Sequence, residues 1–340
     1  MAAAATLATA ALWGFQPFNA RADRVDSALH YTARNRGVVP IPGAEQTLQT
    51  VVAEPYFKVS DTSLQLEGAV FDKQGNLLFV EVFGGQLFKL TPDKKLSILL
   101  PKSKLGPAGL AVHKDGRIFI SGLGNFVDAG SVLAISPDGS SVETIVPASA
   151  GYTPDDLVFD SSGGFYFTDF KGASFDPRGG VYYVSPDFKT ITPVVRNMSV
   201  ANGVALSPDG KVLWTNEFSG GKLHRIELSA PATIAPFGTA TPYHFSGHAP
   251  DSMRTDRDGN VYVAMYQQGR VLVLNDNGIA IGQILLPGRD KGHNLRSTSL
   301  AFFPNSSELV ILSNDAEAGQ GTTIFRAQGF AKGALLYSHQ

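Results

Sequence analysis

The chain contains no cysteine, which excludes disulfide staples, thiolate nucleophiles and cysteine-held zinc in one step. Charge is also sparse. Only 17% of the 340 residues are Asp, Glu, Lys or Arg, and the formal net charge is -2. Without a basic surplus there is no field to attract a phosphate backbone or an acidic bilayer, so neither nucleic acid nor a membrane is an expected partner. No apolar run reaches the roughly 18 residues of a transmembrane helix. Helical periodicity is nearly missing beyond residue 50, and no G-x-S-x-G turn presents a serine nucleophile. The pairs Gly179-Gly180 and Gly220-Gly221 lack the strand, glycine turn and helix that cradle a nucleotide phosphate.

What the chain has is repetition. Its 36 glycines and 20 prolines punctuate short apolar runs, and five glycines and one asparagine recur at matching places: Gly75, Gly116, Gly163, Gly210, Gly259 and Asn305, spaced 41, 47, 47, 49 and 46 residues apart. The text around them reads DKQGNLLFVE, HKDGRIFISG, DSSGGFYFTD, SPDGKVLWTN, DRDGNVYVAM and FPNSSELVIL. Each unit is an apolar run, a polar turn and a second run rich in Val, Phe, Tyr and Ile, which is the pattern of strand, hairpin and strand. A third strand follows at Gly180–Val184 and Gly269–Leu274, and a fourth fits Thr192–Val195 and Gln283–Leu286. Six units of four strands predict an all-β chain folded as a six-bladed β-propeller of four-stranded antiparallel blades.

The propeller is expected over residues 46–340, with 1–45 as an N-terminal extension. Its closing strand is expected from Thr50–Val59, with Ala334–Tyr337 as the competitor. The alanine-rich segment of residues 1–22 ends in Ala20-Arg21-Ala22, which resembles a signal-peptide cleavage site, but no Lys or Arg precedes its apolar stretch. A cytoplasmic protein is therefore expected, with export as the alternative.

Counting back eight residues from each repeat position lands on Glu67, Ala108, Asp155, Asn202, Asp251 and Ser297. In a propeller these equivalent positions are related by rotation about the axis, so they meet at one end of the central channel. Three carboxylates and an amide converging there repel unless a cation or a proton neutralises them. An all-oxygen donor set without Cys or His favours calcium or magnesium over zinc, and the mixture of carboxylate and amide suits calcium best, with manganese also compatible. Against this stands the use of Asp, Asn and Ser as ordinary turn formers at strand entrances. Ser252, beside Asp251, offers one more oxygen or is a turn hydroxyl. His248, His293 and Arg296 lie near ring positions in sequence and are candidates for contact with a substrate anion or for proton transfer. Glu81, Asp169, Asn216, Glu217, Asn314 and Asp315 end the second strands on the same face, where they orient ligands or hold loops. Phe126, Tyr152, Phe170, Phe218, Tyr243 and Tyr266 suggest an aromatic mouth.

Leu66-Glu67-Gly68, Asp155-Asp156-Leu157-Val158-Phe159-Asp160, Val200-Ala201-Asn202-Gly203 and Pro250-Asp251-Ser252 resemble the senescence-marker-protein/gluconolactonase family. The likeness is greatest to its drug-responsive, calcium-dependent lactonases, through Gly163–Phe170 and Leu286–Asp290. It implies a six-bladed propeller that hydrolyses a lactone, a small-molecule substrate. It further implies one catalytic calcium held by Glu67, Asp155, Asn202, Asp251 and Ser252, with Asp251 as the acid/base. A second, structural calcium is implied at loops matching Asp128 to Gly130 and Pro147 to Tyr152, although Pro147 stands where the family has an acidic ligand. Two rival functions share the ring: a phosphotriesterase of the diisopropylfluorophosphatase type, and a noncatalytic calcium-binding propeller.

Overall fold

Every repeat turn closes in the left-handed region. Gly75, Gly116, Gly163, Gly210 and Gly259 have φ of 78, 95, 91, 70 and 87°, and Asn305 has φ 56°, a conformation that costs glycine nothing and asparagine little. The Asp that opens several of these turns accepts backbone N–H groups with one side-chain oxygen. Asp160 Oδ1 takes those of Ser162 and Gly164 at 2.8 and 3.1 Å, and Asp256 Oδ1 those of Asp258 and Asn260 at 3.0 and 2.9 Å. Locked turns of this kind set the register of the strands they join.

The computed structural model describes residues 28, 31, 36–316 and 318–340. The signal-like segment 1–22 lies outside the described residues. The chain divides into two units, Met1–Arg36 and Gly37–Gln340, and the second is a six-bladed β-propeller. Its innermost strands are Leu66–Phe71, Pro107–Val112, Pro154–Phe159, Ala201–Leu206, Pro250–Thr255 and Arg296–Phe302. We number the blades one to six in that order. Each innermost strand touches the next, and the sixth meets the first, so the ring is closed. Blade three carries the pattern read from its sequence: Pro154–Phe159, Phe165–Asp169, Gly179–Val184 and Ile191–Met198 pair antiparallel in succession. Among the described residues there is no α-helix, only four short 3-10 turns. No helix of theirs is long and apolar enough to cross a membrane.

Closure comes from the N-terminal side. Glu54–Ser60 pairs antiparallel with Gly321–Gln328 as the outer strand of blade six, which ties the start of the ring to its end. The preceding strand, Gln49–Val52, runs parallel to Ala280–Leu285 as a fifth strand on blade five. The competing C-terminal run forms no blade strand. Gly333 makes a single bridge to Asp256, and Tyr337–His339 is a 3-10 turn.

The hydrophobic interior is divided among the interfaces between neighbouring blades. Six apolar clusters join blades one and two, two and three, three and four, four and five, five and six, and six and one. A blade buried on both faces needs apolar side chains on both. That is why Leu77–Glu81, Phe165–Asp169 and Val261–Met265 are buried throughout their length instead of alternating.

Candidate active site

All six innermost strands break register near the ring position: between Glu67 and Val70, Pro107 and Leu110, Pro154 and Leu157, Ala201 and Val204, Pro250 and Met253, and Ser297 and Ser299. A bulge re-aims the side chain at its centre. Here it does so six times at one end of the channel. Glu67, Asp155, Asn202, Asp251 and Ser252 are all buried. Of the remaining ring positions, Ala108 offers no donor, and Ser297 spends its hydroxyl on the carbonyl oxygens of Met265 (2.8 Å) and Arg270 (3.0 Å).

The electrostatics of the ring are those of crowded acids. Burial, then the neighbouring charges of Asp251, Asp155 and Asp156, push the Glu67 carboxyl well above its ordinary range, against a hydrogen bond from Gln65. Burial, Asp251 and Asp156 do the same to Asp155. Asp251 is raised mainly by burial, although the Ser252 N–H (3.0 Å) and the Asn202 side chain both donate to it. That bond uses the amide nitrogen of Asn202 and leaves its Oδ1 buried with no hydrogen-bond partner. A buried carbonyl oxygen left without a donor is costly unless something positive faces it. Among the described residues no three of Asp, Glu, His and Cys stand together in ligating geometry. The donor chemistry nevertheless fits a hard cation: three mutually repelling carboxylates and one unspent amide oxygen.

Two residues that the motif reading passed over lie within this constellation. Asp156 is fully buried, adds to the repulsion felt by all three ring carboxylates, and forms an ion pair of 2.9 Å with Arg254. Arg254 reaches from blade five to Asp156 on blade three and to the Ala69 carbonyl on blade one at 3.4 Å, so the pair crosses the channel. The signal was in the repeats. Three residues after the ring position the chain has Val70, Ala111, Val158, Ala205 and Leu300, but in the fifth repeat it has Arg254. Beyond this pair, a cavity of about 520 Å³ opens at the opposite end of the channel. The C-terminal segment Leu335–Tyr337 helps to line it, and no ring residue does.

The rim over the ring is apolar. Val82 and Leu123 pack with Ala108, and Phe170 lies against them. From there an aromatic arc continues from Phe170 to Phe218 and from Phe218 to Tyr266, with centroids 5.8 Å apart in each pair. The Arg296 guanidinium lies 5.9 Å from the Tyr266 ring. Val82, Leu123, Phe170, Phe218 and Tyr266 each directly follow the second strand of their blade. Phe126 stacks on exposed Phe83 at 6.3 Å. Two of the aromatics expected at the mouth belong elsewhere: Tyr152 packs on Phe167 and Tyr182 between blades, and the Tyr243 hydroxyl bonds Glu45.

The acidic strand ends hold loops. Asp169 accepts the Thr153 N–H at 2.8 Å, and Glu81 accepts those of Phe83 and Gly84. Asp315 takes the Asn294 N–H at 3.1 Å and His293 Nδ1 at 2.7 Å. Burial raises the Glu217 carboxyl, but hydrogen bonds from His224 and the Ser199 N–H outweigh it and leave the group at about 2. His293 is thus committed to Asp315, and His248 is exposed. At the other candidate ion loop, the Asp128 side chain is exposed and bonded to Asn125. The Gly130 N–H donates to the Tyr152 carbonyl at 2.8 Å, joining the two loops.

Comparison with known proteins supplies the family. The model of the SMP-30/Gluconolactonase/LRE-like region matches residues 66–314. The lactonase drp35 of Staphylococcus saprophyticus is 53% identical over 313 residues, 91% of this chain and 97% of that protein. The lactonase drp35 of Staphylococcus haemolyticus is 52% identical over 318 residues, 92% and 98% of the two chains. Among solved structures, a luciferin-regenerating enzyme superposes with a TM-score of 0.68 at 20% identity, covering 83% of this chain and 98% of its own. Regucalcin from Agrobacterium tumefaciens, described as a calcium-binding protein, gives 0.69 at 17%, covering 84% and 98%. At such identities the structures speak for the fold alone. The extent of the family match and the identity to full-length relatives establish that the chain belongs to the SMP-30/gluconolactonase/LRE-like family.

Proposed function

We propose that this protein is a lactonase, a hydrolase of carboxylic ester bonds, whose site is the ring of Glu67, Asp155, Asn202 and Asp251 with Ser252, and that the ring holds calcium. The observation that carries the reading is the buried, unpartnered Oδ1 of Asn202 beside three acids that burial and mutual repulsion drive toward protonation. The names of the relatives, lactonase over almost their full length, support the reaction class.

Calcium held there would supply Lewis acidity toward the ester carbonyl of the substrate. The chain's own residues have separate tasks. Asp251 is the acid/base, taking a proton from the attacking water and returning one to the alkoxide that leaves as the ring opens. Asn202 donates to Asp251 and keeps its carboxylate oriented. The side of Ala108, with Val82, Leu123 and Phe170, contributes no competing donor and sheds water. The arc of Phe170, Phe218 and Tyr266 favours a flat, apolar lactone over a polyhydroxylated one.

The test is a hydrolysis screen over aliphatic, aromatic and sugar lactones, with chelator and then with calcium, magnesium or manganese restored. A fluorophosphate is run alongside. Chelator-sensitive lactone turnover that calcium restores is expected, and Asp251→Asn should abolish it with the fold intact. Turnover in that variant would sink the assignment of Asp251. Hydrolysis of the fluorophosphate alone would favour phosphotriester chemistry, and calcium uptake without turnover a binding propeller. Calorimetric titration should give one tight calcium per chain, because Pro147 stands where the family resemblance implies an acidic ligand for the second ion, in the loop joined to Asp128–Gly130.

A further inference from the structure

Each blade ends its second strand next to the following blade's ring position, and the residue one before that end decides what joins the two. In blades two, three and four it is Ser121, Thr168 and Asn216; in blades one and five it is Val80 and Ala264. Each of the three polar side chains makes the same pair of hydrogen bonds, one accepted and one donated. Ser121 Oγ accepts the Gly109 N–H at 2.8 Å and donates to the Asp155 carbonyl. Thr168 Oγ1 accepts the Asp156 N–H at 3.0 Å and donates to the Asn202 carbonyl at 2.6 Å. Asn216 accepts the Gly203 N–H at 3.2 Å through Oδ1 and donates through Nδ2 to the Asp251 carbonyl at 2.6 Å.

The distribution of these clamps follows the chemistry of the ring. The clamped carbonyls belong to Asp155, Asn202 and Asp251, three of the four ring positions proposed as ligands, the fourth being Glu67. Val80 precedes Ala108, and Ala264 precedes Ser297, neither of which is a donor. Blade six contacts blade one differently. Ser313 bonds the Asn294 carbonyl, while Thr298 bonds the Leu66 carbonyl at 2.6 Å and Ser299 accepts the Ala69 N–H at 3.1 Å. The interface before Ser297 is joined instead by the Ser297 hydroxyl itself, which bonds the Met265 and Arg270 carbonyls, so a side-chain clamp on the ring residue's own carbonyl goes with donor residues and not with blade contact as such.

We infer that Ser121, Thr168 and Asn216 are positioning residues that fix the backbone of the three consecutive donor residues, so that acids which repel one another are presented at a set distance to the cation. The inference rests on the reading of the ring given above. Close packing adds to the constraint. A Cβ at Gly109 would lie 2.4 Å from the Asp155 carbonyl oxygen, and one at Gly203 would lie 2.5 Å from that of Asp251, so the clamped carbonyls sit against bare backbone. Rigid groups behind metal ligands typically change metal affinity by roughly 10- to 100-fold when removed.

The experiment is calorimetric titration of the calcium-stripped protein with calcium chloride, together with its Tm without metal. Thr168→Val and Ser121→Ala are each expected to bind calcium about tenfold more weakly, and Thr168→Ser to bind like the wild type. Leu90→Ala, a core truncation between blades six and one, is the control. It should lower Tm while leaving calcium affinity unchanged. Wild-type affinity in Thr168→Val and Ser121→Ala, whatever their Tm, would overturn the inference, and so would an equal loss of affinity in Leu90→Ala. A wild type that takes up no calcium would instead overturn the reading of the ring, and this inference with it.

Discussion

Asp251 carries opposed demands: it is buried, it faces other acids, and it donates nothing while accepting from Ser252 and Asn202. Such a group has a sign-definite effect on stability. In the unfolded chain carboxyls titrate near 4, whereas those of Glu67, Asp155 and Asp251 titrate higher in the folded one. Between those values the folded chain binds more protons, so the stability of calcium-stripped protein should fall as pH rises through that window. If the ring holds calcium as proposed, saturating calcium should neutralise it and remove the slope. Tm measured against pH in both states checks this, and a flat profile without metal would contradict it. By the same logic Asp251→Asn, proposed above to abolish turnover, should raise the metal-free Tm near neutral pH. In a unit of this size a kcal/mol of relieved repulsion corresponds to roughly 1.5 °C. The acid column was legible from spacing, because the repeat places those side chains at equivalent positions. Asp156 and Arg254 were harder to read, since pairing across the channel leaves no periodic trace beyond one charge in an apolar column.

The segment ahead of the propeller shows how an element can be anchored by one buried charge. Glu45, in the 3-10 turn Gly43–Glu45, meets Arg270 on blade five at 2.5 Å, and the Tyr243 hydroxyl donates to its other oxygen at 2.5 Å. Both ends of the ion pair are buried. Replacing Glu45 with Ala leaves the buried guanidinium with no opposite charge and only the side-chain oxygens of Gln268 (2.9 Å) and Gln283 (3.0 Å) as acceptors, which should cost about 3 to 5 kcal/mol. Denaturant unfolding of Glu45→Ala measures it, and a change below about 1 kcal/mol would mean that the Gln268 and Gln283 oxygens satisfy Arg270 without the charge of Glu45. The bulges belong to this scale as well. Strand order and hairpin turns could be read from alternating text, but a register shift depends on which backbone groups find partners across a sheet. Six shifts at one end of the channel emerge only when the strands are paired.

The unit Gly37–Gln340 is a closed ring whose last blade is completed by the strand Glu54–Ser60. Glu54–Ser60 covers the edge that Gly321–Gln328 would otherwise expose, and an exposed edge is a template for association. Deleting residues 49–60 should therefore abolish the single cooperative unfolding transition and promote aggregation, observable by calorimetry and light scattering. A monomeric variant that still melts cooperatively would show that the ring holds without its clasp. Calcium should act at this scale too, adding about 2.7 kcal/mol at a hundredfold excess over its Kd if it binds the folded ring alone.

Periodicity was sufficient to specify the propeller, its blade number and the set of residues that share a rotational position, because local hydrogen bonding and burial on both faces of a blade leave a repeating imprint on the text. The closing strand was also legible, within Thr50–Val59, but the choice of the N-terminal clasp over its C-terminal competitor, of loop-holding over ligand-orienting for the acidic strand ends, the Asp156–Arg254 pair across the channel and the clamps of Ser121, Thr168 and Asn216 had to await the fold. Each depends on a contact between side chains of different blades, or between distant parts of one chain, and such contacts are selected by distance in space and by the absence of competing water, neither of which is written in the order of residues.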